Sequence, residues 1–121
     1  MQMAKASDEA KALFRSVIPD APGVEVKPMF GNLGAFVNGN MFAGLFGDQI
    51  GVKLLDDGAR VVLAAIDGVG PFGPDERPMG GYLSLPAAWA GEPVRMSEWV
   101  ARALEGVAAL PPKAPKGAKR G

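Results

Sequence analysis

The feature that most constrains this fold is the hydrophobic pattern of residues 24–55. There the helical period of the preceding residues gives way to the period of two that is typical of strands. The segment "VEVKPMF" alternates polar and apolar residues, as a strand with one buried face does. Asn38-Gly39 follows the run "GAFV", and this dipeptide favours a hairpin turn because both residues tolerate positive φ. A further run, "QIGVKLL", comes after Gly47-Asp48. The pattern predicts an antiparallel meander of three or four strands.

Glycines lie inside these strand-like runs, where they weaken strand propensity. They predict β-bulges, strong twist or close backbone packing. The glycines in question are Gly34, Gly44 and Gly51. Pro28 predicts that the first strand lies at a sheet edge or ends there, because proline cannot donate to the ladder.

Helical periodicity occurs on both sides of the meander. Ser7 precedes a first helix and is expected to cap it, with Asp8 and Glu9 in the first turn. Asp56 or Asp57 is expected to cap a second helix. The apolar face predicted for that helix consists of Ala59, Val62, Leu63 and Ile66. A last helix is predicted after a Ser97 cap, with Val100, Ala103, Leu104 and Val107 on its apolar face.

The order of these elements defines the expected fold class. The Gly/Pro-rich segment "DGVGPFGPDERP" predicts a connection, and "GGYLSLP" predicts one more strand. A run of strands with separate helices indicates an α+β fold, in which helices pack on one face of an antiparallel β-meander sheet.

Composition excludes several kinds of chemistry. The chain has no cysteine and no histidine, so disulfides, cysteine-based zinc sites and imidazole ligands are impossible. The commonest general base is absent too. Adjacent carboxylates such as Asp56-Asp57 and Asp75-Glu76 are more typical of helix starts than of metal sites. The sequence therefore predicts no metal, no cofactor and no catalytic residues.

Charge divides the chain into two parts. Residues 1–110 carry nine basic and thirteen acidic residues, a net charge of −4, and are predicted to form one domain. Residues 111–121 carry four basic residues, no acid and three prolines, and are predicted to be a disordered tail. Nucleic-acid binding is therefore not expected of the domain, and the tail is expected to add only weak, sequence-independent binding.

The chain lacks the hallmarks of a membrane or secreted protein. No apolar run reaches membrane-spanning length, and the polar N-terminus does not resemble a secretory signal. The expectation is a cytoplasmic protein without a membrane partner.

The stretch "VKPMFGNLGAFVNGNMFAGLFGDQIGVKL" resembles the N-terminal domain of the TfoX/Sxy family. The later "PFGPDERPMGGYLSLPAAW" and "EWVARAL" resemble the second half of that domain, so the likeness covers about residues 5–110. It implies an α+β fold and a link to the regulation of competence genes and transcription. Longer members carry a second, helical domain, whereas this chain continues into the short basic tail. The expectation is a single-domain member without enzymatic activity.

A protein-interaction module with an unidentified protein partner is the favoured function, and a second copy of the chain is one candidate partner. The alternative is a small-ligand-binding protein or an enzyme that uses Lys53, Tyr82 and carboxylates in a cleft. A deep polar pocket lined by Lys53, Arg77 or Tyr82 would favour the alternative, and a flat apolar patch would favour interaction. The residues predicted for a partner or ligand surface are Met29, Phe30, Gly31, Lys53, Arg77 and Tyr82. For the Met-Phe-Gly segment, core packing and a strand-end turn are the simpler interpretation.

Overall fold

The computed structural model describes residues 6–29, 32–73 and 79–111. The helices of this part are α1 (Asp8–Val17), α2 (Asp57–Ala64) and α3 (Pro93–Ala108), with a 3₁₀ turn at Ala87–Gly91. The strands are β1 (Val24–Met29), β2 (Asn32–Val37), β3 (Asn40–Phe46), β4 (Gln49–Lys53), β5 (Gly70–Pro71) and β6 (Tyr82–Ser84).

The strands form one antiparallel sheet in the order β1-β2-β3-β4-β6-β5. The predicted meander is confirmed for the first four strands. Asn38 and Gly39 form the β2–β3 turn with φ of 52° and 85°, values that glycine and asparagine tolerate best. With the helices, this sheet confirms the α+β fold class.

The outer strands β1 and β5 each contain a proline, Pro28 and Pro71. The Asn38 amide donates to the Gly23 carbonyl at 3.1 Å. In an antiparallel pair every second residue bonds to the partner strand, so the odd-numbered residues of β1 point their backbone groups toward β2 and the even-numbered ones point away. By that alternation Pro28 faces away from β2, toward the free edge. The Val24 amide, which also faces outward, donates to the Ala21 carbonyl at 3.1 Å.

One face of the sheet contributes to the hydrophobic core. Its buried residues are Leu33, Ala35, Val37, Ala43, Leu45, Ile50 and Val52. They form one cluster with buried residues of the helices, chiefly Phe14, Val17, Leu63, Met96, Trp99, Val100, Ala103 and Val107. This arrangement is consistent with helices packed on one face of the sheet. The opposite face of the sheet does not contribute these residues to the core.

The helix starts agree with the sequence in two cases and differ in the third. Ser7 accepts from the Ala10 amide at 3.0 Å, and Asp56 accepts from the Ala59 amide at 2.8 Å. The prediction that Ser97 caps the last helix is wrong. That helix begins at Pro93, whose fixed φ suits a first helical turn, and Ser97 lies inside it.

The apolar face predicted for α2 is only partly correct. Leu63 is buried, and Ala59 and Ile66 are partly buried against the core. Val62, however, is 56% exposed. The reason is that α2 is a peripheral helix, held to the core through a narrow strip rather than a full face.

Candidate functional site

The face of the sheet opposite the core contains a row of small residues. The register pairs Gly34 with Gly44, Gly44 with Gly51, and Gly51 with Ser84, which also pairs with Gly70. Because side chains alternate along each strand, these residues share one face. A trough lined by small residues therefore crosses the sheet, and we call it the glycine row.

The side chain of Phe72 fills the middle of the glycine row. A Cβ atom built on Gly51 would lie 2.4 Å from Cγ of Phe72, and one on Gly44 would lie 3.2 Å from its Cε2. The backbone around Phe72 is also held in place by hydrogen bonds. The Gly73 amide donates to the Gln49 side chain at 3.3 Å, and the Met79 amide donates to the Phe72 carbonyl at 2.8 Å.

Two methionines cover the rest of the row. A Cβ on Gly34 would lie 2.6 Å from Sδ of Met29, and one on Gly44 would lie 2.6 Å from Cε of Met41. Met29, Met41, Phe36 and Phe46 are all partly exposed. Phe36 and Phe46 share the face of the row by alternation, and a register shift between Ala35 and Phe36 brings Met41, the partner of Phe36, onto the same face. This face therefore combines apolar side chains with access to solvent.

Lys53 and Tyr82 are direct neighbours across the β4–β6 pair, on the same face. The Lys53 Nζ atom lies 5.9 Å from the centre of the Tyr82 ring, within the range of a cation–π contact. The Tyr82 hydroxyl donates to the Met41 carbonyl at 3.3 Å. Desolvation by burial raises the pKa of Tyr82 to about 12. The phenol therefore stays protonated at neutral pH.

A second lysine lies at the other side of this face. The Lys27 Nζ atom is 5.3 Å from the centre of the Phe36 ring and 3.3 Å from a carboxylate oxygen of Glu25. Both partners of that ion pair are largely exposed, so the pair is a weak one. We call the surface formed by Lys27, Met29, Phe36, Met41, Phe46, Lys53 and Tyr82 the sheet face.

The residues predicted for a partner or ligand surface fall into two groups. Met29, Lys53 and Tyr82 lie on the sheet face, where Lys53 and Tyr82 pair directly across β4 and β6. Met29 lies on the far side of the glycine row, against Gly34. Phe30, Gly31 and Arg77 lie outside the described residues.

Sequence reasoning missed the contribution of Phe72. It lies in a Gly/Pro-rich connection without periodicity, so nothing in its neighbourhood distinguishes a buried ring from a loop residue. Phe36 and Met41 flank the predicted Asn38-Gly39 turn and occupy the face opposite the core. The turn predicts that the two residues pair, whereas the register shift that brings Met41 onto the face of Gly44 cannot be read from the turn.

The described residues contain no group of three or more acidic side chains suited to a metal ion. The clefts formed by described residues include one of about 330 Å³ beside α1 and one of about 500 Å³ between α2 and α3. Neither is lined by Lys53 or Tyr82. None of the helices in residues 6–29, 32–73 and 79–111 has the length and apolar character needed to cross a bilayer.

The geometry defines a small α+β domain with one face of its antiparallel sheet packed on helices and the other lined by glycines, methionines and aromatic rings. The family model of the TfoX N-terminal domain matches residues 17–107, and the chain belongs to that family. The match includes the whole glycine row and the sheet face. A search among curated proteins gives no match.

Proposed function

We propose that this chain is a non-catalytic protein-interaction module of the TfoX N-terminal type that acts in transcription regulation in the cytoplasm. The observation that supports the proposal is the composition of the sheet face. An antiparallel sheet with helices on one side normally presents polar side chains on the other. Here those positions are occupied by Met29, Phe36, Met41 and Phe46, which are partly exposed.

Methionine and phenylalanine are well suited to protein recognition. The thioether chain of methionine is flexible and polarizable, and it adapts to different apolar partners. Aromatic rings contribute large contact areas at interfaces. Lys27 and Lys53 lie over rings of the same face, which adds positive charge beside the apolar area. These features favour a protein partner with apolar and acidic side chains.

The chemistry of Lys53 and Tyr82 speaks against the enzymatic alternative. A general acid or base works best with a pKa near the operating pH, whereas burial raises the pKa of Tyr82 to about 12. Its hydroxyl is also engaged with the Met41 carbonyl. In the described part of the chain, neither Lys53 nor Tyr82 forms an ion pair with a carboxylate.

The regulatory part of the proposal comes from the family. A TfoX-type domain is associated with the control of competence genes, and a net charge of −4 over residues 1–110 favours action through a protein rather than through DNA. The partner is then a component of the transcription apparatus or another regulator.

The test is affinity capture from the native cell with three baits. They are the natural chain, a Lys27→Glu/Phe36→Gln variant of the sheet face, and a Lys11→Glu variant on α1 as the matched charge reversal. We expect the natural chain and Lys11→Glu to retain a transcription-related protein that the sheet-face variant loses. Binding is then repeated with that protein in purified form, and the unfolding free energy of each bait shows that it is folded.

Two results contradict the proposal. One is capture of the same proteins by all three baits when all are folded. The other is turnover of a small molecule by the natural chain that Lys53→Met and Tyr82→Phe abolish. The second result would establish the enzymatic alternative.

A further inference from the structure

The helix α2 has an unusual composition for a surface helix. Its sequence, DGARVVLA, contains two charged residues, Asp57 and Arg60, and otherwise only Gly, Ala, Val and Leu. Helices that are apolar on all sides are normally buried. In this helix Leu63 is the buried residue, and most of the remaining surface faces solvent.

Large apolar side chains are exposed within α2 and just before it. Val61 is 69% exposed, Val62 is 56% exposed, and Leu55, just before the helix, is 42% exposed. Leu110, after α3, is 37% exposed. In the described residues, one further large apolar side chain is exposed to this degree, Val94 at the start of α3.

A groove connects the two helices. It has a volume of about 500 Å³ and is lined by Leu54, Leu55, Asp56, Ala59, Arg102, Glu105 and Gly106. A Cβ on Gly106 would lie 3.8 Å from Cβ of Leu55, so α3 passes close to the start of α2. Val62 follows Ala59 by three residues on α2 and therefore extends the apolar lining beyond the groove. We call Leu55, Ala59, Val62 and the adjacent Val61 the α2 surface.

Acidic residues frame this surface. Asp56 and Asp57 lie at the N-terminal end of α2, Asp67 follows its C-terminal end, and all three are exposed. Glu105 adds a carboxylate on the groove. The nearby cations are Arg60 on α2 and Arg102 on the groove, whose guanidinium carbon lies 4.7 Å from the centre of the Trp99 ring. Four carboxylates against two guanidinium groups leave a net negative charge around the α2 surface.

We infer that the α2 surface binds an amphipathic helix of a partner protein, with aliphatic side chains on one face and Lys or Arg at both ends of that face. The apolar side chains would lie on Leu55, Ala59 and Val62, and the cations would meet the carboxylates at the two ends of α2. These ends lie about 12 Å apart for a helix of this length. This surface is separate from the sheet face, so either proposal can fail without the other.

The basic tail of the chain is a poorer occupant. Residues 112–121 carry positive charge, but their apolar side chains are alanine and proline alone. They can neutralise the carboxylates but cannot cover the valines. A second copy is disfavoured too, because antiparallel packing of two α2 helices would bring Asp56 and Asp57 of one copy toward Asp67 of the other.

The test uses two synthetic helical peptides of about 14 residues, one of leucine and lysine and one of leucine and glutamate with the same spacing. Each is titrated into the ¹⁵N-labelled full chain, and amide shifts are followed by NMR. We expect the lysine peptide to shift amides of the α2 surface and the glutamate peptide to bind at least about tenfold more weakly. The double variant Val61→Gln/Val62→Gln should lose the shifts, whereas the matched variant Val94→Gln should keep them.

All three substitutions are at exposed positions, so the melting temperature of each variant should be unchanged. Loss of peptide binding without loss of stability separates recognition from a structural role. The inference is overturned if the two peptides bind equally, if the shifts fall elsewhere, or if they persist in Val61→Gln/Val62→Gln. It is also overturned if removal of residues 112–121, or dilution of the chain alone, shifts the α2 amides. Those last results would identify the tail or a second copy as the occupant.

Discussion

The ring of Phe72 lies directly against the backbone of Gly51, so that a Cβ at residue 51 would be 2.4 Å from both Cγ and Cδ1 of the ring. Carbon atoms that are not bonded prefer separations of about 3.5–4.0 Å. A side chain at residue 51 and the ring in its present place therefore exclude each other. This contact joins the connection after β5 to the centre of the sheet.

The first prediction concerns that contact. Gly51→Ala should lower the free energy of unfolding by about 2 kcal/mol, within the range of overpacked cores. Chemical denaturation measures the change. Gly91→Ala is the control, because a Cβ at residue 91 meets nothing within 4 Å. In a Phe72→Leu background, Gly51→Ala should lower the free energy of unfolding by a smaller amount. An equal decrease in both backgrounds would mean that the Phe72 ring does not clash with the new methyl group.

Tyr82 should lose its proton at a higher pH than an ordinary tyrosine. It is the chain's one tyrosine, so the rise of phenolate absorbance reports it alone. Burial raises its pKa to about 12, so the midpoint should lie near pH 12 rather than near 10. A midpoint near 10 in the folded protein would show that the ring is solvated.

The same shift predicts how stability depends on pH. The unfolded chain releases the Tyr82 proton near pH 10, before the folded protein does, so the free energy of unfolding should fall between about pH 10 and 12. The slope from this group is at most about 1.4 kcal/mol per pH unit, and below pH 10 its contribution is constant. Tyr82→Phe should remove this part of the alkaline loss, which separates it from the titration of lysines.

Two serines should respond differently to the same substitution. Ser7→Ala removes the oxygen that accepts from the Ala10 amide and should cost about 1 kcal/mol. The Ser97 hydroxyl donates to the Val94 carbonyl at 2.9 Å inside α3, so Ser97→Ala should be neutral or slightly stabilising. Thermal or chemical unfolding of the two variants compares them. An equal loss of stability in the two variants would mean that the Ser7 cap does not stabilise α1.

Removal of residues 112–121 should leave the fold intact and abolish binding to nucleic acid. Pro111 is retained because its carbonyl accepts from the Asn40 side chain at 3.0 Å. The melting temperature should stay within about 4 °C, the shift that 1 kcal/mol gives a domain of this size. The full chain should bind any duplex weakly, with a salt slope of at most about −3.6 for four phosphate contacts. Tight, sequence-dependent binding by the shortened chain near 0.15 M salt would identify the domain itself as a DNA reader.

Local rules predicted much of the fold. Ser7, Asp56 and the Asn38-Gly39 turn each act through neighbours a few residues away, and all three were predicted correctly. The pairing of Lys53 with Tyr82 spans 29 residues, and the sequence predicts a strand at each residue without fixing which residues pair.

The predictions from the sequence fail where contacts between distant residues determine a helix start or the burial of a side chain. Ser97 has the chemistry of a cap, but Pro93 already provides a compatible start one turn earlier. Val62 fits the helical period of the apolar face, although α2 is too peripheral to bury it. Phe72 is buried because the two strands β3 and β4 place Gly44 and Gly51 side by side, a condition that a sequence window around Phe72 does not contain.

The prolines at the two borders of the sheet limit how other chains can join it. Along β1, Pro28 has no amide proton and the Val24 amide is already used by Ala21, which leaves Val26 as the outward donor of the strand. At the other border β5 is two residues long and ends in Pro71. A foreign strand would find too few donors at either border to extend the ladder, so the sheet is protected against edge-to-edge aggregation. Partners must then approach through side chains rather than through β-augmentation.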